Sequence, residues 1–90
     1  PATLHLPPPR SRGADPDKLR RQIARFGTND EGMPPVWVYR GSDGALMIYD
    51  GVTRATRMAR LVPGRMIRVE VIGTIERPFS GYSTVGDVLP

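Results

Sequence analysis

Apolar residues recur at helical spacing in two stretches and form short strand-like runs in three others, with glycine and proline between them. In the first stretch Leu19, Ile23 and Phe26 fall at i, i+4 and i+7, one face of a helix. Asp15 is placed to cap its start, Pro16 to occupy its first position, Asp17 to oppose the dipole and Gly27 to close it. Lys18, Arg20, Arg21 and Arg25 fill the other faces, so this helix packs through a narrow stripe and shows solvent a basic surface. The second stretch runs from about Val52 to Leu61 and ends at Pro63-Gly64. Val52, Ala55, Ala59 and Val62 are its packing positions, which leaves Arg54 and Arg57 to diverge into solvent.

The strand-like runs have a different rhythm. Val36-Trp37-Val38-Tyr39 alternates, with the valines on one face and the aromatic rings on the other, and both faces are expected to be partly covered. Gly41-Ser42-Asp43-Gly44 is a tight turn, after which Ala45 to Tyr49 returns antiparallel as a hairpin. Met66 to Ile72 alternates again, with Ile67, Val69 and Val71 on its core side. A strand, helix, strand passage is a crossover, so Ala45 to Tyr49 and this last strand are expected to run parallel, or the last strand lies elsewhere in a mixed sheet. The predicted fold is a small α/β (α+β) single domain with a mixed sheet and two main helices.

Three connecting regions lack periodicity. Residues 1 to 14 hold four prolines, including Pro7-Pro8-Pro9, and are read as a proline-rich arm that cannot be helical. Within it Thr3 to Leu6 is a candidate edge strand, and Arg10 and Arg12 follow in an extended, mobile loop. Thr28 to Pro35 is a loop. Residues 73 to 90 form a tail that docks on the domain of residues 15 to 72 through its aromatics or through Val85, Val88 and Leu89.

The junction Tyr49-Asp50-Gly51-Val52-Thr53-Arg54 is where chemistry is expected. A strand that ends in glycine and feeds a helix leaves N–H groups at the helix start without intrahelical partners, and the dipole adds partial positive charge there. Thr53 adds a hydroxyl. Arg54 and Arg57, one turn apart, add two guanidinium forks suited to phosphate oxygens. The plainer alternative is that Gly51 only permits a tight turn and the arginines are a solvated face.

Charge distribution changes this picture more than composition does. Residues 1 to 27 carry six basic side chains against two acidic ones, a net +4, while residues 28 to 90 carry seven of each and cancel. Arginine makes up twelve of the thirteen basic residues, and its planar fork suits bidentate phosphate contacts. A basic face of this kind, with Arg12, Lys18, Arg20, Arg21 and Arg25 on it, fits nucleic acid, a nucleotide or another polyanion. Without cysteine, disulfides, thiolate zinc sites and cysteine nucleophiles are excluded, and His5 alone cannot form a histidine metal cage. A carboxylate site for magnesium stays open. No apolar run approaches the roughly 20 residues needed to cross a bilayer, so no membrane partner is expected and a cytoplasmic location is. A chain that starts at Pro1 reads as a processed or excised piece of a longer polypeptide.

In sequence order, Pro7-Pro8-Pro9-Arg10, the helix Asp17 to Gly27, Pro35-Val36-Trp37-Val38-Tyr39, Ile48 to Arg57 and Arg68-Val69-Glu70-Val71-Ile72 resemble the N-terminal domain of the ParB and sulfiredoxin superfamily. The similarity spans about residues 5 to 72 and lies in order and spacing more than in any one motif. It implies a small mixed fold in which a glycine and arginine motif at a helix start holds phosphates, of a cytidine nucleotide in ParB-type proteins and of ATP in sulfiredoxin. On this likeness Gly51 takes the place of the motif glycine, Arg54 that of its last arginine, and Arg10 that of the arginine in the first box. Two departures are plain. ParB proteins usually show glycine, glutamate, arginine, arginine, where this chain has Gly51-Val52-Thr53-Arg54, and sulfiredoxin needs a cysteine that is absent here. Sulfiredoxin chemistry is thereby ruled out.

Two functions from different classes follow. One is a ParB-like module, associated with DNA, that binds nucleotide or nucleic-acid phosphate at the junction. The other is a small metal-dependent nuclease on the same fold, a bacterial effector or toxin domain acting in a target cell's cytoplasm, with its parent polypeptide or an inhibitor protein as partner. A magnesium nuclease needs converging carboxylates and a base. Asp50 at the junction, Glu70 on the strand expected to neighbour it, and His5 as a general base are the catalytic candidates.

Overall fold

The computed structural model describes residues 1–89. A three-stranded mixed sheet with two helices makes an α+β fold, as the hydrophobic pattern predicts. Helix α1 spans Pro16–Phe26, strands β1 and β2 span Val36–Arg40 and Leu46–Asp50, helix α2 spans Val52–Leu61, and strand β3 spans Val69–Thr74. Asp15 caps α1 by accepting from the N–H of Asp17 at 2.9 Å, and Gly27 closes it at φ +55°. These end signals are local, which is why they could be read without a fold.

The sheet order is β2-β1-β3, with β1 antiparallel to β2 and parallel to β3. Of the two arrangements expected for the last strand, the mixed sheet is the one found. β3 does not pair with β2, because α2 carries the chain over β1 to the sheet's other edge. Val36, Val38 and Ile48 meet Leu4, Leu6, Ala55, Ala59 and Val85 in one buried cluster. The other face of β1 is partly covered, as expected, with Trp37 40% exposed and Tyr39 half-buried, while Tyr49 of β2 beside it is 61% exposed.

The arm is less detached than its prolines suggest. Leu4 and Leu6 are buried in the central cluster, each contributing about 1.5–3 kcal/mol of burial. His5 bridges to Met47 on one side and Thr84 on the other, so Thr3 to Leu6 lies between β2 and the tail. Val85 donates its N–H to the Leu4 carbonyl at 2.9 Å, and Leu6 donates to Ser83 at 2.8 Å. The tail thus docks through Val85 and Phe79, both buried. Pro8–Arg10 forms a 3-10 turn, contrary to the expectation of an extended loop. Proline tolerates this because the first N–H groups of such a turn have no partner to lose. Among the described residues no helix is long and apolar enough to cross a membrane.

Candidate functional site

Gly51 turns β2 into α2 in a single residue. Its φ of +112° lies in the left-handed region, and a Cβ there would stand 3.1 Å from one methyl of Val36 and 3.2 Å from the other. Only glycine satisfies both conditions at once. The helix begins directly afterwards, with Ala55 donating to the Gly51 carbonyl at 2.9 Å and no side chain capping the start. The N–H groups of Val52, Thr53 and Arg54 precede the helix's own ladder and stand at its positive end.

A cavity of about 290 Å³ opens at this junction. Asp50, Gly51, Val52, Thr53 and Arg54 form one wall, Lys18 and Gln22 of α1 another, and Pro7 and Arg10 of the arm a third, with Tyr49 at the edge. Four of the five residues expected to hold phosphate, Arg10, Gly51, Thr53 and Arg54, are therefore brought together. Lys18, expected only on the outer basic face, joins them. Gln22 and Tyr49 had no signal in the sequence beyond their places on α1 and β2; packing of α1 across α2 brings Gln22 in. Three cations against the single carboxylate of Asp50 make the cavity net positive. The ion pairs found among the described residues, Arg20 with Asp17 and Arg65 with Asp30, lie elsewhere. Among the described residues Arg10, Lys18 and Arg54 thus have no carboxylate partner. Arg54 braces its fork by donating from Nη1 to the Pro34 carbonyl, while its Nε is buried without a partner. A buried unpaired donor costs about 1–3 kcal/mol.

Arg57 corrects the expectation of a second fork at this site. It is fully buried, one turn along α2 from Arg54. Nε donates to Gln22 Oε1 at 2.9 Å, Nη1 to the carbonyls of Gly27 and Asn29 at 2.5 and 3.0 Å, and Nη2 points at Met33 Sδ at 3.3 Å. The guanidinium also lies 5.6 Å from the centre of the Phe26 ring. Burial, and then the nearby charge of Arg54, push its pKa down, with Asp30 acting the other way. Its donors are consumed by the end of α1 and the loop after it, so Arg57 ties the two helices together and lies away from the cavity.

The three catalytic candidates are not gathered. Asp50 lines the cavity, but Glu70 is exposed on β3, with β1 between it and β2. His5 is half-buried on the other edge of the sheet, donating from Nδ1 to the Tyr82 carbonyl at 2.8 Å. Among the described residues no three histidine or acidic side chains form a group able to hold a metal ion. A single carboxylate beside three cations does not fit the magnesium that the nuclease reading requires. Of the outer basic residues, Arg12 and Arg20 flank a separate concavity with Arg60, while Arg21 and Arg25 are exposed on α1.

The most perturbed carboxylate lies in a turn far along the chain. Asp43 accepts from the N–H groups of Ser80 at 2.9 Å, Phe79 at 3.1 Å and Ala45 at 3.2 Å, and these bonds, Ser80's first, hold its carboxyl well below the usual range. Asp87 is likewise lowered, first by the Thr84 N–H and then by its hydroxyl. Both brace the tail. Compared with protein-family models, with curated proteins and with solved structures, the chain matches none.

Proposed function

We propose that this chain is a phosphate-binding module for a nucleotide or nucleic acid, held at the β2–α2 junction. The observation that carries the reading is the convergence of Arg10, Lys18 and Arg54, from three separate elements, on the uncapped start of α2. Among the described residues no carboxylate pairs with any of the three. Such a site holds a dianion through helix N–H groups, a threonine hydroxyl and guanidinium or ammonium donors. The resemblance to the ParB and sulfiredoxin superfamily supports the same assignment, since Arg10, Gly51 and Arg54 are the positions that likeness singles out. The nuclease alternative has only Asp50 in its favour, and binding is the better supported of the two.

Thermal melts with nucleoside triphosphates, inorganic pyrophosphate and short DNA test the proposal. A phosphate ligand at 100 times its dissociation constant should stabilise the fold by about 2.7 kcal/mol, which raises Tm by roughly 10 °C or more for a domain of this size. Arg54→Ala should remove most of that shift. Affinity for DNA should also fall steadily as salt rises, because phosphate contacts release counterions. No shift with any phosphate compound, or an Arg54→Ala protein that responds like the wild type, would refute the assignment.

A further inference from the structure

The sheet face opposite the buried cluster carries a row of aromatic rings that no helix covers. Trp37 and Tyr39 stand two residues apart on β1, and Tyr49 of β2 packs edge-on to Tyr39, with ring centres 5.7 Å apart and planes at 87°. Tyr49 is 61% exposed and also lines the cavity beside Arg54. Gly73 on β3 makes room for Tyr39, since a Cβ there would lie 3.0 Å from the Tyr39 ring. One end of the aromatic row is therefore continuous with the cationic cavity.

Resting on the phosphate reading above, we infer that the ligand is a single strand of nucleic acid, with one phosphate in the cavity and the adjoining base stacked on Tyr49. Tyr39 and Trp37 continue the platform for a following base. Rings on an open sheet can reach base faces only when the bases are unpaired and splayed, so a duplex offers them nothing. Charge sets the path of the backbone. Glu70, the cross-strand partner of Trp37 on β3, lies away from the cavity and repels phosphate from that side of the face. The backbone then stays along Arg10, Lys18 and Arg54 while bases extend over the sheet.

Trp37 is the sole tryptophan, so its fluorescence reports stacking directly. The probes are a short oligothymidylate, an oligouridylate of equal length, a duplex of equal length and inorganic pyrophosphate, all at one salt concentration. The single strands should quench Trp37 and bind at least about tenfold more tightly than the duplex. Tyr39→Ala should weaken single-strand binding on the order of tenfold without changing pyrophosphate binding, and Tyr39→Phe should retain it. A preference between the two single strands supports the inference. Equal binding of single strand and duplex, or pyrophosphate binding with no oligonucleotide binding, overturns the stacking inference and leaves the phosphate site standing. Absence of pyrophosphate and oligonucleotide binding alike overturns both.

Discussion

Arg54 and Arg57 leave α2 one turn apart and meet opposite environments. Arg54 borders an open cationic cavity and keeps a buried Nε unpaired, whereas Arg57 is sealed between the helices with carbonyl and amide oxygens on its donors. The same side chain borders a cavity at one position and is part of the core at the other. The difference arises in the partner elements. The end of α1 presents Gly27 and Asn29 carbonyls that its helix cannot satisfy, and Arg57 supplies the missing donors. No such carbonyls crowd Arg54, which meets the Pro34 carbonyl alone.

The comparison is broken most directly at Arg57. Arg57→Ala strands two carbonyls and an amide oxygen and leaves a void between the helices, a loss of about 3 kcal/mol. In thermal unfolding that lowers Tm by roughly 12–24 °C. Arg54→Ala, expected to weaken the proposed phosphate binding, should lower stability by less than about 1 kcal/mol, since it removes one bond and one unsatisfied donor. Equal losses from the two substitutions would erase the distinction.

Gly51→Ala comes next. A left-handed φ with both Val36 methyls in the way costs about 1–3 kcal/mol and moves the helix start out of line with Arg10 and Lys18. Urea unfolding should detect the destabilisation, and phosphate affinity should fall with it. Full stability with intact binding would show that the junction does not need this backbone conformation.

The smallest effect is in acid, and it separates the arginines from the carboxylates that hold the tail. Asp43 and Asp87 have pKa values lowered on folding, so the stability they add is present above the ordinary carboxylate pKa. It is lost as pH falls below that value toward their lowered ones, because the unfolded chain takes up the protons first. Urea midpoints of the wild type should decline over this acid range more steeply than those of Asp43→Asn. Parallel declines would place the acid sensitivity elsewhere.

Much of the fold was legible because its signals are local. Asp15, Pro16 and Gly27 bound α1 within their own few residues, the Val36 and Val38 alternation marks β1, and Gly51 marks the strand-to-helix junction. Arg10, Gly51, Thr53 and Arg54 could be nominated from glycine chemistry, helix-end electrostatics and a family likeness. What stayed out of reach depended on contacts between distant elements. That Arg57 turns inward follows from Gln22, Gly27 and Asn29, some 30 residues away in sequence. That Glu70 and His5 sit on opposite sides of Asp50 follows from the strand order, which places β1 between β2 and β3 and the arm on β2's free edge. Periodicity states which face of an element is apolar, but not which element covers it. Local signals mark where the helices begin and end and where a helix start leaves N–H groups without partners. Which arginine stays beside the cavity is set by tertiary contacts, because burial and carbonyl partners come from the rest of the fold.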